Sequence, residues 1–387
     1  MATGAGRTPR RSQEGHHVSQ PADSASSGTE RFDRLRPYDA LPPLPPRVDV
    51  ETPAVLRKAI AANRALAELK GMAERMPNQA LLIDSLVLQE ARASTEIENI
   101  LTTHDEVYQA ASDELALSSP EAKEVLRYRE ALNHGFQSLA SRPLATNLFM
   151  EIAQRIKKTA FDVRATPGTQ LRGPRGEVVY TPPQGEALLR DKLRDLEQFI
   201  HADDGMDALV KMALVHYQFE AIHPFPDGNG RTGRILNVLF LVQRGLLVLP
   251  VLYLSRYIID NKAAYYDGLR GVTEAAAWEP WVLYMLDAVE QTSSRTRRQI
   301  LGILALMEQV QERLRREAPK LYSKELVEQV FRHPYCKIGF LERAGLGTRQ
   351  TCSKYLRTLE AMGVLRSTRI GREMYFLNQA LFDLLTA

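Results

Sequence analysis

The chain has 387 residues, which allows two or three domains and a sizeable hydrophobic core. Hydrophobic residues make up 44% of it and charged residues 25%, an ordinary balance for a soluble globular protein that argues against a fibrous or wholly disordered chain. The two cysteines, Cys336 and Cys352, argue against a disulfide framework, and the N-terminus lacks the apolar segment of a signal peptide. We therefore expect a cytoplasmic protein.

The formal net charge of +3 is unevenly distributed. From Arg295 to the end, the chain has 17 basic and 9 acidic residues, so the remainder is acidic. A basic C-terminal unit is a weak indication of nucleic-acid binding.

The first part of the chain changes from a polar tail to helical patterns. Residues 1–36 are rich in Ser, Gly, Arg and His and lack apolar periodicity, which predicts a disordered tail. The proline-dense residues 38–46 should be extended and should pack against their own domain rather than bind a partner. A helical pattern follows, with Pro53 suited to the first helical position. A second helix begins after Asn78 and ends within residues 93–100.

Further amphipathic stretches predict helices at residues 119–141, 145–160, 185–202 and 206–221. Among them, residues 171–183 place Gly and Pro around Val178, Val179 and Tyr180, which predicts a short β-hairpin. Residues 235–254 are long and apolar, but Pro250 breaks them, so we predict a buried helix and no membrane span. Downstream, separate helices are predicted at residues 278–298 and 301–317.

The C-terminal region has the pattern of a winged helix. Residues 340–344, a Gly-Leu-Gly turn and residues 349–362 read as helix-turn-helix, and two short strands flank Gly371. The predicted recognition helix begins with Arg349, Gln350, Thr351, Ser353 and Lys354, and Arg369 and Arg372 lie at the wing tip. Residues 320–387 would therefore bind DNA through a major groove or mediate self-association, and both alternatives stay open.

Residues 223–234 concentrate the groups able to do chemistry, between two apolar-periodic runs. Pro224 and Pro226 exclude an ordinary helix here, so the order is helix, tight loop, helix. Gly228 and Gly230 leave backbone N–H groups uncovered where the second helix begins. Such a helix N-terminus favours an anion, because its unpaired N–H groups and the helix dipole both attract phosphate.

Four charged or titratable side chains complete this run. Arg231 and Arg234 supply fixed cations, Asp227 is a hard oxygen ligand suited to Mg²⁺ carried in by phosphates, and His223 is a titratable base. A base, a metal ligand, a phosphate cradle and two arginines form a set for phosphoryl or nucleotidyl transfer. The alternative is a polar turn with a structural histidine, and the coincidence of so many parts favours the chemistry.

The run His-x-Phe-x-Asp-Gly-Asn-Gly-Arg-x-x-Arg resembles the signature of the Fic family at every defined position. The resemblance implies a mainly α fold, a Fic-type helical bundle with a small β-hairpin flap, here followed by the C-terminal winged helix. The implied divisions are a disordered tail over residues 1–36, an N-terminal helical region with an inhibitory motif over 37–115, a catalytic core over 116–295, and a linker helix with the winged helix over 296–387.

Most Fic proteins transfer AMP from ATP to a hydroxyl of a target protein, so the resemblance implies a protein adenylyltransferase with an unknown target and His223 as its general base. The implied ATP-binding residues are Asp227, Gly228, Asn229, Gly230, Arg231, Arg234, Tyr265 and Tyr266. Asp227 would hold Mg²⁺ or Mn²⁺ with the phosphates. The implied flap residues, which would pair with the target backbone, are Glu177, Val178, Val179 and Tyr180.

The second predicted helix ends in a pattern that resembles the inhibitory motif of some Fic proteins. In that motif Ser or Thr is followed, after three residues, by Glu and then Gly or Asn; Ser94, Glu98 and Asn99 fit it. The resemblance implies that Glu98 pairs with Arg234 and occupies the cation that the γ-phosphate of ATP needs. The spacing alone is common at solvated helix ends, and the downstream signature favours autoinhibition.

Two other functions stay open. One is a DNA-binding regulator whose helical half only senses nucleotide, against which the intact His223 argues. The other is Fic-type transfer of another phosphate-containing group, such as phosphate, UMP or phosphocholine. Kinase-type relatives lack the second signature arginine, which is present here as Arg234. A homodimer is compatible with the sequence.

Overall fold

The computed structural model describes residues 32–74, 78–112, 119–370 and 373–386, without the side chains of residues 80–84 and 370. Within these residues the helices are α1 (Pro53–Glu74), α2 (Ala80–Ile97), α3 (His104–Ser112), α4 (Pro120–Ser138), α5 (Thr146–Lys157), α6 (Glu186–His201), α7 (Ala208–Ile222), α8 (Asn229–Gln243), α9 (Leu254–Asp260), α10 (Lys262–Ala275), α11 (Trp278–Glu317), α12 (Lys324–Arg332), α13 (Ile338–Arg343), α14 (Arg349–Ala361) and α15 (Gln379–Thr386). The strands are β1 (Leu171–Arg172), β2 (Val178–Tyr180), β3 (Tyr335–Cys336), β4 (Arg366–Ile370) and β5 (Glu373–Leu377). The mainly α fold is the one predicted.

The centre of the fold is the pair of helices α7 and α8, which flank the loop at residues 223–228. Nearly all of their side chains are buried, because α1, α4, α5, α6 and α11 pack around them. Trp281 of α11 is fully buried and donates its indole N–H to the carbonyl of Ala213 in α7 at 2.8 Å. Residues 235–254 thus contain a buried core helix, as predicted. Among the described residues, no helix is long and apolar enough to span a bilayer.

Residues 278–317 form one helix where the sequence predicted two. Helix α11 runs without interruption for 40 residues. Gly302, near the expected break, lies inside it, and a Cβ there would come within 2.9 Å of Leu384 Cδ2 in α15. The glycine therefore permits close helix packing and does not end a helix. The predicted division between residues 295 and 296 falls within α11.

The predicted hairpin is present as β1 and β2, and an ordered N-terminal segment supports it. The hydroxyl of Tyr180 donates to the carbonyl of Ala221 at 2.9 Å, and its ring stacks on Phe32 with centroids 5.9 Å apart. Phe32, which the sequence assigned to the tail, thus contacts the hairpin, whereas residues 33–36 are exposed. The rest of the predicted tail, residues 1–31, lies outside the described residues.

Helix α2 contacts both helices close to the loop at residues 223–228 and helices of the C-terminal region. Its neighbours are α4, α8 and α9 in the first group and α12 and α15 in the second. The helix ends because Asn99 adopts the left-handed conformation, with φ of 62°, which Asn tolerates better than most residues. Lys262, the first residue of α10, donates from Nζ to the carbonyl of Ile97 at 2.9 Å. These contacts fix the position of Glu98. The predicted domain boundary after residue 115 falls in 113–118, outside the described residues.

Helices α13 and α14 lie where the sequence predicts helix-turn-helix, and β4 and β5 form an antiparallel pair on either side of residues 371 and 372. In α14, the predicted recognition helix, Cys352 and Leu356 are buried while Arg349 and Lys354 are exposed. The wing-tip residues 371 and 372 lie outside the described residues.

Candidate active site

The loop between α7 and α8 turns through two residues in the left-handed conformation. His223 ends α7 with φ of 48° and ψ of 57°, and Gly228 precedes α8 with φ of 82°. Glycine adopts this conformation without strain, whereas histidine does so at a cost. Strained residues of this kind concentrate at functional sites, so the backbone conformation of His223 favours a functional role for this residue.

Arg164, which the sequence analysis missed, clamps this loop. Its backbone N–H donates to the carbonyl of Pro224 at 2.9 Å, and its Nε donates to the carbonyl of His223 at 2.7 Å. Its Nη2 donates to the carbonyl of Pro183, at the end of the flap segment, at 2.9 Å. Arg164 is buried. It therefore ties the loop to the flap through main-chain atoms.

His223 has the protonation state that a base requires. Burial, and secondly the nearby cation of Arg164, lower its pKa to about 4. The imidazole is therefore neutral at physiological pH and free to accept a proton.

The predicted phosphate cradle at the start of α8 is filled by the carboxylate of Glu98. A Cβ added to Gly230 would lie 2.7 Å from Glu98 Oε1 and 3.0 Å from Arg234 Nη1. No side chain caps α8, so the first turn keeps its anion-binding character. The Glu98 carboxylate thus occupies a place suited to a phosphate oxygen.

Arg234 joins α8 to the end of α2. It donates from Nε to Ser94 Oγ at 2.8 Å, from Nη2 to the carbonyl of Ser94 at 3.0 Å, and from Nη2 to Glu98 Oε1 at 2.6 Å. The guanidinium is only 2% exposed, whereas the Glu98 side chain is 38% exposed. Burial raises the pKa of Glu98, but the Arg234 charge outweighs this and holds the pKa below its usual range. The ion pair is therefore intact at neutral pH.

Two residues predicted in the cradle direct their side chains elsewhere. The amide of Asn229 accepts from the N–H of Phe225 and donates to its carbonyl, each at 2.8 Å, and so closes the loop on itself. Arg231, which is 3% exposed, donates from Nη1 to Glu124 Oε2 of α4 at 2.6 Å. Arg231 Nη2 also lies 3.9 Å from Asp227 Oδ1, so both side chains stay beside the loop, and their role in ATP binding stays a prediction.

Asp227 lies at the exposed tip of the loop. Its carboxylate is 59% exposed and pairs with Lys157 Nζ at 2.7 Å. Within the described residues, no cluster of three or more His, Cys, Asp or Glu residues could hold a metal ion. One accessible carboxylate fits Mg²⁺ when substrate phosphates and water supply the other ligands, which is the usual arrangement for this ion.

The two predicted tyrosines differ in their surroundings. Tyr265 is 2% exposed, and its hydroxyl forms a hydrogen bond with His216 Nε2 at 2.9 Å. Tyr266 is 48% exposed in the first turn of α10. Of this pair, Tyr266 can present its ring to a ligand, while Tyr265 supports it from the core.

In the flap, β2 pairs with β1 and with no other strand of the described chain, so its second edge is unpaired. Val179 is 38% exposed, and Glu177 accepts from the N–H of Arg175 at 3.0 Å within the turn. An unpaired strand edge can add a peptide strand by main-chain hydrogen bonds.

Comparison with known proteins gives two family matches that flank the loop. Residues 56–137 match a model of the Fic/DOC family N-terminal region, and residues 306–381 match a model of the C-terminal domain of SoFic-like protein adenylyltransferases.

A probable protein adenylyltransferase of Aquifex aeolicus is 34% identical over 97 residues, which are 25% of this chain and 28% of that protein. Protein adenylyltransferase fic-1 of Caenorhabditis elegans is 29% identical over 120 residues, 30% of this chain and 22% of that protein. The matches thus span less than a third of these relatives.

Solved structures show the same fold. A Fic family protein from Desulfovibrio desulfuricans superposes with a TM-score of 0.57 at 20% identity, covering 86% of this chain and 98% of that one. Fic-1 from Caenorhabditis elegans gives a TM-score of 0.50 at 20% identity, over 66% of this chain and 75% of that one.

Proposed function

We propose that this chain, which has the fold of the Fic family and Fic-family regions at both ends, is a protein adenylyltransferase that transfers AMP from ATP to a Ser, Thr or Tyr hydroxyl of a target protein. The observation that carries the proposal is the position of the Glu98 carboxylate against Gly230 and Arg234, close to the neutral imidazole of His223. The names of the relatives support the same activity.

The reaction is an in-line displacement at the α-phosphorus of ATP. The target hydroxyl oxygen forms a bond to this phosphorus, the bond to the bridging α–β oxygen breaks, and pyrophosphate leaves. His223 accepts the hydroxyl proton, which its low pKa allows at neutral pH. Arg234 and the first N–H groups of α8 hold the phosphates and offset the charge on the leaving pyrophosphate.

Asp227 would hold Mg²⁺ or Mn²⁺ together with the substrate phosphates, in competition with its present ion pair to Lys157. The metal supplies Lewis-acid stabilisation of phosphate charge. The free edge of β2 would align the target segment, so recognition depends on main-chain pairing more than on target sequence.

Labelled ATP tests the reaction class. Full-length wild type, Glu98→Gly and Glu98→Gly/His223→Ala proteins are incubated with Mg²⁺ and with ATP labelled at either the α- or the γ-phosphate, and incorporation into the protein itself and into candidate targets is measured. We expect α-label, and not γ-label, in the Glu98→Gly protein and a large loss in the double variant. Incorporation of γ-label would indicate phosphate transfer instead. Binding of ATP without any incorporation would favour a nucleotide-sensing regulator.

The low pKa of His223 predicts an unusual pH profile. A base works above its pKa, so a histidine with a pKa of about 4 stays active well below the range where an ordinary histidine becomes protonated. In the Glu98→Gly protein we expect the initial rate of AMP transfer to be maintained from pH 8 to about pH 5.5. A rate that halves between pH 6 and 7, in protein whose circular dichroism is unchanged, would contradict a neutral, buried base.

In the C-terminal region, exposed basic side chains favour DNA binding over self-association. The exposed basic side chains of α14 and β4 are Arg349, Lys354, Arg357, Arg366 and Arg369. We expect the full chain to bind duplex DNA with an affinity that falls steeply with salt, because phosphate contacts release counterions. Arg349→Ala/Lys354→Ala should weaken binding, whereas Lys320→Ala, an exposed lysine outside this surface, should not. Absence of DNA binding together with dimers in light scattering would favour self-association.

A further inference from the structure

Glu220 is an acidic side chain that the mechanism above does not use. It lies on α7, three residues before His223. Its carboxyl group lies against the first turn of α8, since a Cβ on Gly233 would come within 2.3 Å of Glu220 Oε1. Oε1 is buried and has no hydrogen-bond partner among the described residues. Buried polar atoms in native proteins are nearly always paired, so this one calls for a partner from outside the chain.

The surroundings of Glu220 indicate which partner that is. Its carboxyl group is close enough to interact electrostatically with Arg234 and Glu98, at the anion site. It also interacts with the hydroxyl groups of Tyr265 and Tyr266, at the start of α10. Glu220 is therefore near both the phosphate-binding end of the site and the tyrosine pair.

A nucleotide bound as proposed would place its ribose beside this carboxyl group. The inference rests on the proposed function, in which the phosphates lie at α8, and on the predicted ATP-binding role of Tyr266, whose exposed ring would contact the adenine. The ribose joins these two parts, and an acidic side chain is a common acceptor for ribose hydroxyl groups in nucleotide sites. We infer that Glu220 accepts a hydrogen bond from a ribose hydroxyl and selects ribonucleotides over deoxyribonucleotides.

The electrostatics of the site are compatible with an acid in this position. Burial raises the pKa of Glu220 to about 7; Arg234 opposes this rise and Glu98 adds to it. Near neutral pH a large part of the group is therefore uncharged. An uncharged carboxyl group still accepts a hydrogen bond through its carbonyl oxygen, and it does not repel the triphosphate. An acid that was fully ionised here would oppose the binding of ATP.

Calorimetric binding of nucleotides to the full chain tests the inference. The background is Glu98→Gly/His223→Ala, in which the anion site is open and turnover is blocked. The ligands are ATP, 2′-deoxy-ATP, 3′-deoxy-ATP and GTP, each with Mg²⁺. Each is measured with Glu220 intact, with Glu220→Met, which removes the acceptor, and with Glu220→Gln, which keeps an amide acceptor of similar size. Glu274→Met, at an exposed acidic residue of α10, is the matched control.

We expect ATP to bind about 10-fold more tightly than at least one of the two deoxynucleotides, a ratio typical of losing one hydrogen bond to a carboxyl group. Glu220→Met should bring that ratio close to one, Glu220→Gln should keep part of it, and Glu274→Met should leave it unchanged. Equal affinities for ATP and both deoxynucleotides, or a ratio that survives in Glu220→Met, would overturn the ribose contact and leave the proposed function intact. A change in the ratio of ATP to GTP alone would assign Glu220 to the base and also overturn it. Folded protein that binds no nucleotide would refute both proposals.

Discussion

Replacing His223 with alanine is expected to lower AMP transfer by about 10²–10⁴-fold, the usual effect of removing a general base. The imidazole is the titratable base of the loop, and burial keeps it neutral. The substitution should leave the loop conformation nearly unchanged, because Arg164 donates to the backbone carbonyl of residue 223, which alanine keeps. We therefore expect the fold and the affinity for ATP to change little. The rate of incorporation from α-labelled ATP is the measurement, made in the Glu98→Gly protein so that the starting rate is high.

A second histidine provides the matched control. His201, at the end of α6, is bound to the carbonyl of Leu144 at 2.7 Å and lies outside the site described here. His201→Ala should keep the rate of the parent protein. If His223→Ala kept that rate as well, another group would have to accept the proton, and the assignment of the base would be wrong.

The sequence predicts the loop well because its structure is decided locally. Prolines exclude helix at residues 224 and 226, and Gly228 permits the left-handed turn before α8. The helices α13 and α14 and the strands β4 and β5 were also predictable, since they follow from short-range patterns. In both cases the residues that decide the conformation are within a few positions of one another.

The sequence could not predict side-chain direction where the partner is distant in the chain. Arg231 was predicted as a phosphate ligand, and no sequence pattern indicated that α4 brings Glu124 within 2.6 Å of it. Arg164 gave no signal, because its partners are backbone carbonyl groups that any sequence possesses. The continuity of α11 was missed for a related reason, since Gly302 lowers helix propensity locally while tertiary packing against α15 favours it.

The Glu98–Arg234 pair was predictable from the family resemblance and not from residue spacing. Spacing alone relates Ser94 to Glu98 on one helix, but it does not relate either residue to an arginine 136 positions beyond Glu98. The resemblance implied the pair, and the structure brings the three side chains together. The inhibitory role of the pair stays a prediction.

Replacing Glu98 with glycine is expected to raise AMP incorporation from α-labelled ATP by about 10- to 100-fold. This range corresponds to one charge-assisted hydrogen bond that ATP no longer has to displace. The Glu98 carboxylate lies at Gly230, where a phosphate oxygen would bind. It also forms an ion pair with Arg234, whose buried charge has few other groups to neutralise it. Arg234→Ala in the same protein should abolish the gain, because the phosphates then lose the cation that the substitution released.

Glu96→Gly is the matched control for this prediction. Glu96 lies two residues earlier in the last turn of α2 and pairs with Arg92 at 3.3 Å, away from Arg234. Its substitution removes a carboxylate and weakens the same helix end without releasing Arg234. An increase only in Glu98→Gly would show that the ion pair inhibits. Equal rates in wild type, Glu96→Gly and Glu98→Gly, or an equal increase in both variants, would mean that the pair stabilises the end of α2 without controlling access of ATP.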